Sequence, residues 1–229
     1  MVKKEDEEMN KRTARMFLIL AMVVLACACN LLPGGGGGGA SPTEVPANIL
    51  FQDDFSGTDS GWEVGEYDGG DVGYKDGAYF VTSPVKDTMM WGVANRSFDN
   101  VVIEVDAIQI SSGPESNNAY GVVCRTQDNG DGYYLRISGD GYYGIAKAEG
   151  QEFVALVEWA SSSAINKGNA TNRIRAVCNG ATLELFVNGQ KVATAEDSTF
   201  VTGDIAFSAT TYEEEMTEIH FDNLVVTQP

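Results

Sequence analysis

The feature that most constrains this chain is residues 172–196, NRIRAVCNGATLELFVNGQKVATAE, which holds two Asn-Gly pairs, Asn179-Gly180 and Asn188-Gly189. Asn-Gly favours a two-residue type I′ turn, because both central positions need positive φ. Between the turns apolar residues alternate: Ile174, Ala176 and Cys178, then Leu183, Leu185 and Val187, then Val192. That period of two predicts three antiparallel strands with one buried face. The other face carries Arg173, Arg175, Thr182, Glu184 and Phe186.

The rest of the chain repeats the signal. Short alternating runs at Tyr74–Val81, Met89–Val93, Val101–Ile110, Tyr120–Arg125, Tyr133–Ser138, Tyr142–Ala148, 151–158, Asp204–Ala209 and Glu218–Thr227 are divided by polar or glycine turns. No long stretch at helical spacing interrupts them, and the 26 glycines suit many tight turns. The expectation is an all-β, two-sheet antiparallel sandwich over residues 48–229.

The residues before it read as a leader. Lys11, Arg12 and Arg15 precede an apolar run from Met16 to Ala28, short for a membrane span and suited to a signal-peptide core. The acidic residues Glu5–Glu8 fit poorly in such a leader, whereas MNKRTAR from Met9 is a conventional opening. The run Leu25-Ala26-Cys27-Ala28-Cys29 is similar to a bacterial lipobox. Cysteine parity favours lipidation at Cys29, which discards Cys27 and leaves Cys124 and Cys178 as a pair; the alternative is an ordinary secretory leader. Residues 1–28 are therefore expected to be a signal peptide. Residues 29–47, with six consecutive glycines at 34–39, are expected to be a lipidated cysteine and a flexible tether. No lysine follows those glycines, as a phosphate loop would require. The expected location is the bacterial cell envelope, outside the cytoplasm.

Charge narrows the partners. Removing residues 1–28, with five basic and four acidic residues, takes the net charge from −18 to −19. Such a surface repels nucleic acid, so membrane attachment would come from the lipid and a sugar ligand would be neutral or weakly charged.

The order DDFSGTDSGW, FDNVVIEVDA, LELFVNGQKVA and HFDNLVV resembles concanavalin A-like jelly rolls over essentially Ile49 to Pro229. More narrowly it resembles laminin-G-like and 3-keto-disaccharide hydrolase-like domains of exported bacterial lipoproteins. The resemblance implies that the first and last strands pair, and that the ligand is a glycan, by analogy with lectins, binding modules and glycosidases of this fold. It requires no cofactor. The metal it allows is a structural calcium near the terminal strands, where Asp53, Asp54 and Asp222 would supply oxygens.

Laminarinase-type glycosidases of this fold carry Glu-x-Asp-x-(x)-Glu on one strand. Here Glu104 and Asp106 are followed by Gln109, an amide with no proton to give, so the retaining carboxylate pair is incomplete. Asp128–Gly132 lacks the spacing of an EF-hand and reads as a hairpin loop. The lone histidine, His220, sits on the closing strand and reads as structural.

Aromatic and arginine residues carry the binding expectation. Trp91, Arg125, Tyr134, Arg136 and Arg175 are expected to share a polar face on neighbouring strands, able to stack on sugar rings and hydrogen-bond their hydroxyls. The bland alternative is cross-strand packing and surface ion pairs. Three readings follow: a non-catalytic glycan-binding module, a 3-keto-glycoside hydrolase-type enzyme, or an adhesion module binding protein. Cys124 and Cys178 each end an inward-facing run, and a disulfide between them is expected in an exported domain, against the alternative of two buried thiols.

Overall fold

The computed structural model describes residues 48–150 and 152–229. The leader 1–28, with the tether 29–47 and Cys29, lies outside the described residues. Fifteen strands and no helix are present among those described, arranged as two antiparallel sheets.

The larger sheet runs in the order β13 (Gln190–Glu196), β12 (Thr182–Val187), β11 (Asn172–Asn179), β6 (Val101–Ser111), β15 (Thr217–Thr227), β4 (Ala78–Ser83), β3 (Gly70–Lys75) and β2 (Gly65–Tyr67). The strand β1 (Ile49–Asp53) adds to the free half of β15, with Phe51 opposite Val226, so the first and last strands do pair. The smaller sheet runs β10 (Glu152–Ser161), β9 (Tyr142–Glu149), β8 (Gly132–Ser138), β7 (Ala119–Thr126), β14 (Gly203–Thr211) and β5 (Thr88–Phe98). This is the jelly-roll sandwich.

The Asn-Gly stretch forms the three expected strands, but only its second pair is the two-residue Asn-Gly turn. At the first, Asn179 is still paired with Thr182 and the turn is Gly180-Ala181, with positive φ at Gly180. Ile174, Ala176, Cys178, Leu183, Leu185 and Val187 all enter the core, and Asn188 and Gly189 take φ of 50° and 83° at the second turn. A register shift after Leu185 turns Ala193 and Ala195 inward on β13, while Val192 packs at the margin. The run Tyr74–Val81 is not one strand but two. Asp76 and Gly77 adopt φ of 55° and 77°, a left-handed turn that separates β3 from β4.

Between the sheets Phe207 stacks on Trp62 at 4.6 Å and on Phe221 at 4.2 Å, with Phe55 and Tyr79 packed at their edges. Trp62 and Phe55 belong to the connection from β1 to β2, so the DDFSGTDSGW segment plugs one region of the core rather than lying on the surface. The Cys124–Cys178 disulfide joins β7 to β11, which belong to different sheets. It therefore staples the sandwich across its core, not two neighbouring strands.

Candidate saccharide-binding face

The outer face of the smaller sheet is assembled by register. Trp91 of β5 lies opposite Ser208 of β14, Ser208 opposite Gly121 of β7, Gly121 opposite Arg136 of β8, and Arg136 opposite Gly144 of β9. Trp159 of β10 closes the row, since a Cβ on Gly144 would come within 3.3 Å of its ring. A second tryptophan thus stands at the far end from Trp91. The glycines on either side of Arg136 leave no side chains between it and the two flanking strands, so its long side chain can lie along the sheet.

The guanidinium is held by rings. Its Cζ sits 5.9 Å from the centroid of Tyr134, 5.3 Å from Phe153 and 5.3 Å from Trp159. Each ring presents a negative π-face to the cation without neutralising it. Arg136 is only 7% exposed, and burial pulls its pKa down from the ordinary value, with Tyr212 among the groups that oppose the shift. No acidic side chain pairs with it among the described residues, and its buried Nε has no hydrogen-bond partner. The buried hydroxyls of Ser208 and Thr210, on the same face, are also unpartnered.

The row is open at both ends. Beside Trp91 a cleft of about 580 Å³ is lined by Met89, Val93, Glu63, Asp128 and Asp204 among others. Near Trp159 a smaller cavity of about 260 Å³ is lined by Tyr142, Tyr212 and Asp140. The hairpin from β7 to β8 sets the wall at the Trp91 end: Gly130, at φ 84°, lies so close to the indole that a Cβ there would fall 2.7 Å from it. That hairpin is the 128–132 segment, closed by the Gly130 amide donating to the Gln127 carbonyl at 2.9 Å.

Of the five residues expected to share one face, Trp91, Tyr134 and Arg136 do. Tyr134 is fully buried beneath Phe153, and its hydroxyl donates to the Gly130 carbonyl at 2.7 Å, so it supports the face rather than meeting solvent. Arg125 and Arg175 are elsewhere. Arg125 has φ of 55°, which breaks the strand alternation and swings its side chain to the end of the sandwich. There Nε donates to the Asp99 carbonyl at 2.9 Å, Nη1 to the Gly180 and Phe200 carbonyls at 2.8 Å each, and Nη2 to Asn100 Oδ1 at 3.2 Å. Arg175 does point outward, but from the larger sheet, with Glu104 3.1 Å from its Nε and Phe186 under its guanidinium.

The sequence reading missed Trp159, Phe153 and Ser208. The signal for the first two was their spacing of six in β10, which gives them the same strand parity; nothing in the sequence says that β10 lies beside β9 to cover Arg136. Glu104 and Asp106 are ion-paired with Arg173 and Arg175 on the larger sheet, whereas Gln109 on the same strand is buried on the opposite side. His220 is nearly buried, with Nε2 2.7 Å from Glu218 Oε1, a carboxylate that also pairs with Lys75. Among the described residues no group of three His, Cys, Asp or Glu is arranged to hold a metal. Asp53 and Asp54 each cap backbone amides, of Phe55 at 2.8 Å and Ser56 at 3.1 Å.

The two antiparallel sheets define a jelly-roll β-sandwich domain. Its structural neighbours include a carbohydrate-binding module from Bacillus subtilis, with 16% identity, a TM-score of 0.53, and coverage of 74% of this chain and 96% of that one. They also include a β-glucanase from Bacillus licheniformis, with 10% identity, a TM-score of 0.59, and coverage of 80% and 100%. A third is a putative glycosyl hydrolase from Parabacteroides distasonis, with 14% identity, a TM-score of 0.51, and coverage of 74% and 88%. At these identities the likeness is one of fold. The chain itself belongs to the 3-keto-alpha-glucoside-1,2-lyase-like domain family, whose model matches residues 50–227. Comparison with curated proteins finds no match.

Proposed function

We propose that this chain is a lipid-anchored envelope protein that binds a saccharide, without turning it over, on the outer face of its smaller sheet. The observation that carries the reading is the row from Trp91 to Trp159, two tryptophans bracketing a caged arginine and an unpartnered serine. Indole faces stack on the C–H groups of a pyranose, and the polar groups between them meet ring hydroxyls. Such shallow faces bind with dissociation constants from about micromolar to about millimolar.

The test is calorimetric titration of oligosaccharides into the parent chain and into Trp91→Ala and Trp159→Ala variants. Each substitution is expected to weaken binding about three- to tenfold, corresponding to about 0.5–1.5 kcal/mol for a lost aromatic contact. Trp159 is 39% exposed, so its removal should cost little stability. If both variants stay folded and bind as the parent does, the face is not the site.

The family match favours a second reading, a lyase acting on a 3-keto-glucoside. A ketone at C3 acidifies the C2 proton, and elimination across C1–C2 then needs a base. Asp204, at the cleft beside Trp91, has its carboxyl pushed up by burial against hydrogen bonds from backbone amides, among them those of Arg96 and Ile205. Consumption of a 3-keto-glucoside by the parent chain, lost in Asp204→Asn, would replace the binding reading with this one.

Anchoring is proposed at Cys29. The inter-sheet disulfide supports export, because such bonds persist in oxidising compartments. A fatty-acid probe fed to cells should label the full-length chain, and Cys29→Ala should remove the label. Loss of label with Cys27→Ala alone would move the anchor to that residue.

A further inference from the structure

We infer that the saccharide recognised on this face is an acidic one, a pyranose bearing a carboxylate or sulfate ester that pairs with Arg136. The inference rests on the face being a saccharide site. It narrows the expectation of a neutral or weakly charged ligand to a charged one.

The protein has 33 acidic residues against 15 lysines and arginines, yet neither buried arginine, Arg125 or Arg136, has a carboxylate partner among the described residues. The other arginines with ion pairs show the common solution: Arg173 engages Glu104 and Asp106, and Arg175 engages Glu104. Arg125 spends its donors on three backbone carbonyls and the Asn100 amide oxygen. Arg136 has no ion pair and no carbonyl cage among the described residues; it is surrounded by the rings of Tyr134, Phe153 and Trp159, with the Tyr212 side chain as its polar neighbour.

That environment fixes the guanidinium in place and keeps its full charge. Rings stabilise a cation through their quadrupole, so no formal negative charge is present to be displaced when an anion arrives. A planar guanidinium already oriented and partly desolvated loses little freedom on pairing with an oxyanion, and matches a carboxylate or sulfate edge. An uncharged hydroxyl would leave the buried charge uncompensated, which is costly where water is excluded.

Ser208 and Thr210 lie on the same face with buried hydroxyls that face no solvent, so the charge of Arg136 is the polar feature a ligand would meet between the tryptophans. Asp140, which lines the cavity by Trp159 and accepts a hydrogen bond from Ser138, makes that end unfavourable for an anion. Glu63, Asp128 and Asp204 line the cleft at the Trp91 end, so the acidic group sits between the two ends, beside Gly121, where neither β7 nor β14 carries a carboxylate in the row. The long-range field of a chain at net charge −18 opposes anions in general. Salt screens that field more than it screens a buried contact, so binding of the acidic sugar should hold or strengthen as ionic strength rises from low to physiological.

The experiment uses the full-length chain and matched disaccharides sharing one backbone: cellobiose, its C6 uronic acid, the methyl ester of that acid, and the 6-sulfate. The uronic acid is expected to bind about 10- to 100-fold more tightly than cellobiose or the ester, the range for a hydrogen bond to a charged group. Tight binding of the sulfate but not the uronic acid assigns the anion as sulfate; the reverse assigns carboxylate. Arg136→Gln should bring the acidic and neutral sugars to equal affinity. Because Arg136 is buried and that variant can fail to fold, the acid-to-ester comparison on the parent chain stands by itself. Equal affinity for cellobiose, acid, ester and sulfate overturns the inference and leaves the saccharide-binding reading intact. Binding of none of them, nor of any oligosaccharide titrated above, overturns both.

Discussion

Replacing Cys124 and Cys178 together by alanine is expected to destabilise the fold by about 2–5 kcal/mol, read as a lower urea midpoint with a steeper slope, because the unfolded chain without the cross-link exposes more surface. The bond links residues 54 apart, and closing a loop of that length in the unfolded chain removes entropy equivalent to about 4 kcal/mol in the chain-entropy account. Its position adds to the effect. Both half-cystines are fully buried, one on each sheet, so the bond ties the two layers beside the Arg125–Gly180 hydrogen bond. Alanine also leaves the volume of two sulfurs unfilled at a packed centre. Reduction of the parent chain should shift its midpoint in the same direction as the double variant. A double variant within about 0.5 kcal/mol of the parent would show that the sheets are held without the disulfide, since that is the spread of neutral substitutions.

Arg125→Ala is expected to cost about 3–5 kcal/mol, the range for removing one side of a buried charged network. The side chain is 2% exposed, and its donors reach three separate connections: Asp99 and Asn100 between β5 and β6, Gly180 between β11 and β12, and Phe200 between β13 and β14. Truncation leaves three carbonyls without that donor and opens a cavity among them. Arg125→Lys should recover only part of the loss, because an ammonium on a flexible stem lacks the planar fork that spans the three loops. The measurement is chemical denaturation of parent, alanine and lysine variants, with saccharide affinity measured on the folded fraction. Affinity should not change, since Arg125 lies off the binding face. A loss below about 1 kcal/mol for Arg125→Ala would mean that water replaces the guanidinium at those carbonyls.

Arg125 also shows where sequence reading fails locally. Strand alternation puts it on the same side as Gly121 and Val123, and the positive φ at Arg125 itself undoes that alternation. The neighbouring strand accommodates the bend: β7 and β14 shift register between Asp204 and Ile205, and Gly203 lies so close that a Cβ there would sit 2.5 Å from the Arg125 carbonyl carbon. A non-glycine residue in the left-handed region carries no sequence mark of its own, because its cost is repaid by contacts made elsewhere in the fold. The Asp76-Gly77 turn is the opposite case. Its dipeptide is a recognised turn signal, outweighed in sequence by the strand-favouring residues of Tyr74–Val81 on either side.

Other parts were readable because they depend on neighbours in the chain. The hairpins of β11, β12 and β13 follow from glycine turns, Asn188-Gly189 among them, and period-two alternation, and so does the burial of Ile174, Leu185 and Val187. Tyr134 and Arg136 opposite Leu135 and Ile137 follow from the same rule. Alternation tells which side of its strand a residue takes, and it carries no information about which sheet the strand joins. β7 and β11 have matching inward patterns, yet one sheet holds each, so their cysteines meet across the core and not along a ladder. Arg136 and Arg175 both point outward by parity, and the tertiary structure sends them to opposite sides of the sandwich. By itself the sequence determined the strands, their turns and the inward residues, because these arise from steric and hydrophobic preferences acting over a few adjacent residues. Only the tertiary structure decided that Trp159 and Phe153 cover Arg136 and that no carboxylate among the described residues pairs with it, because that arrangement depends on pairing between strands far apart in the chain.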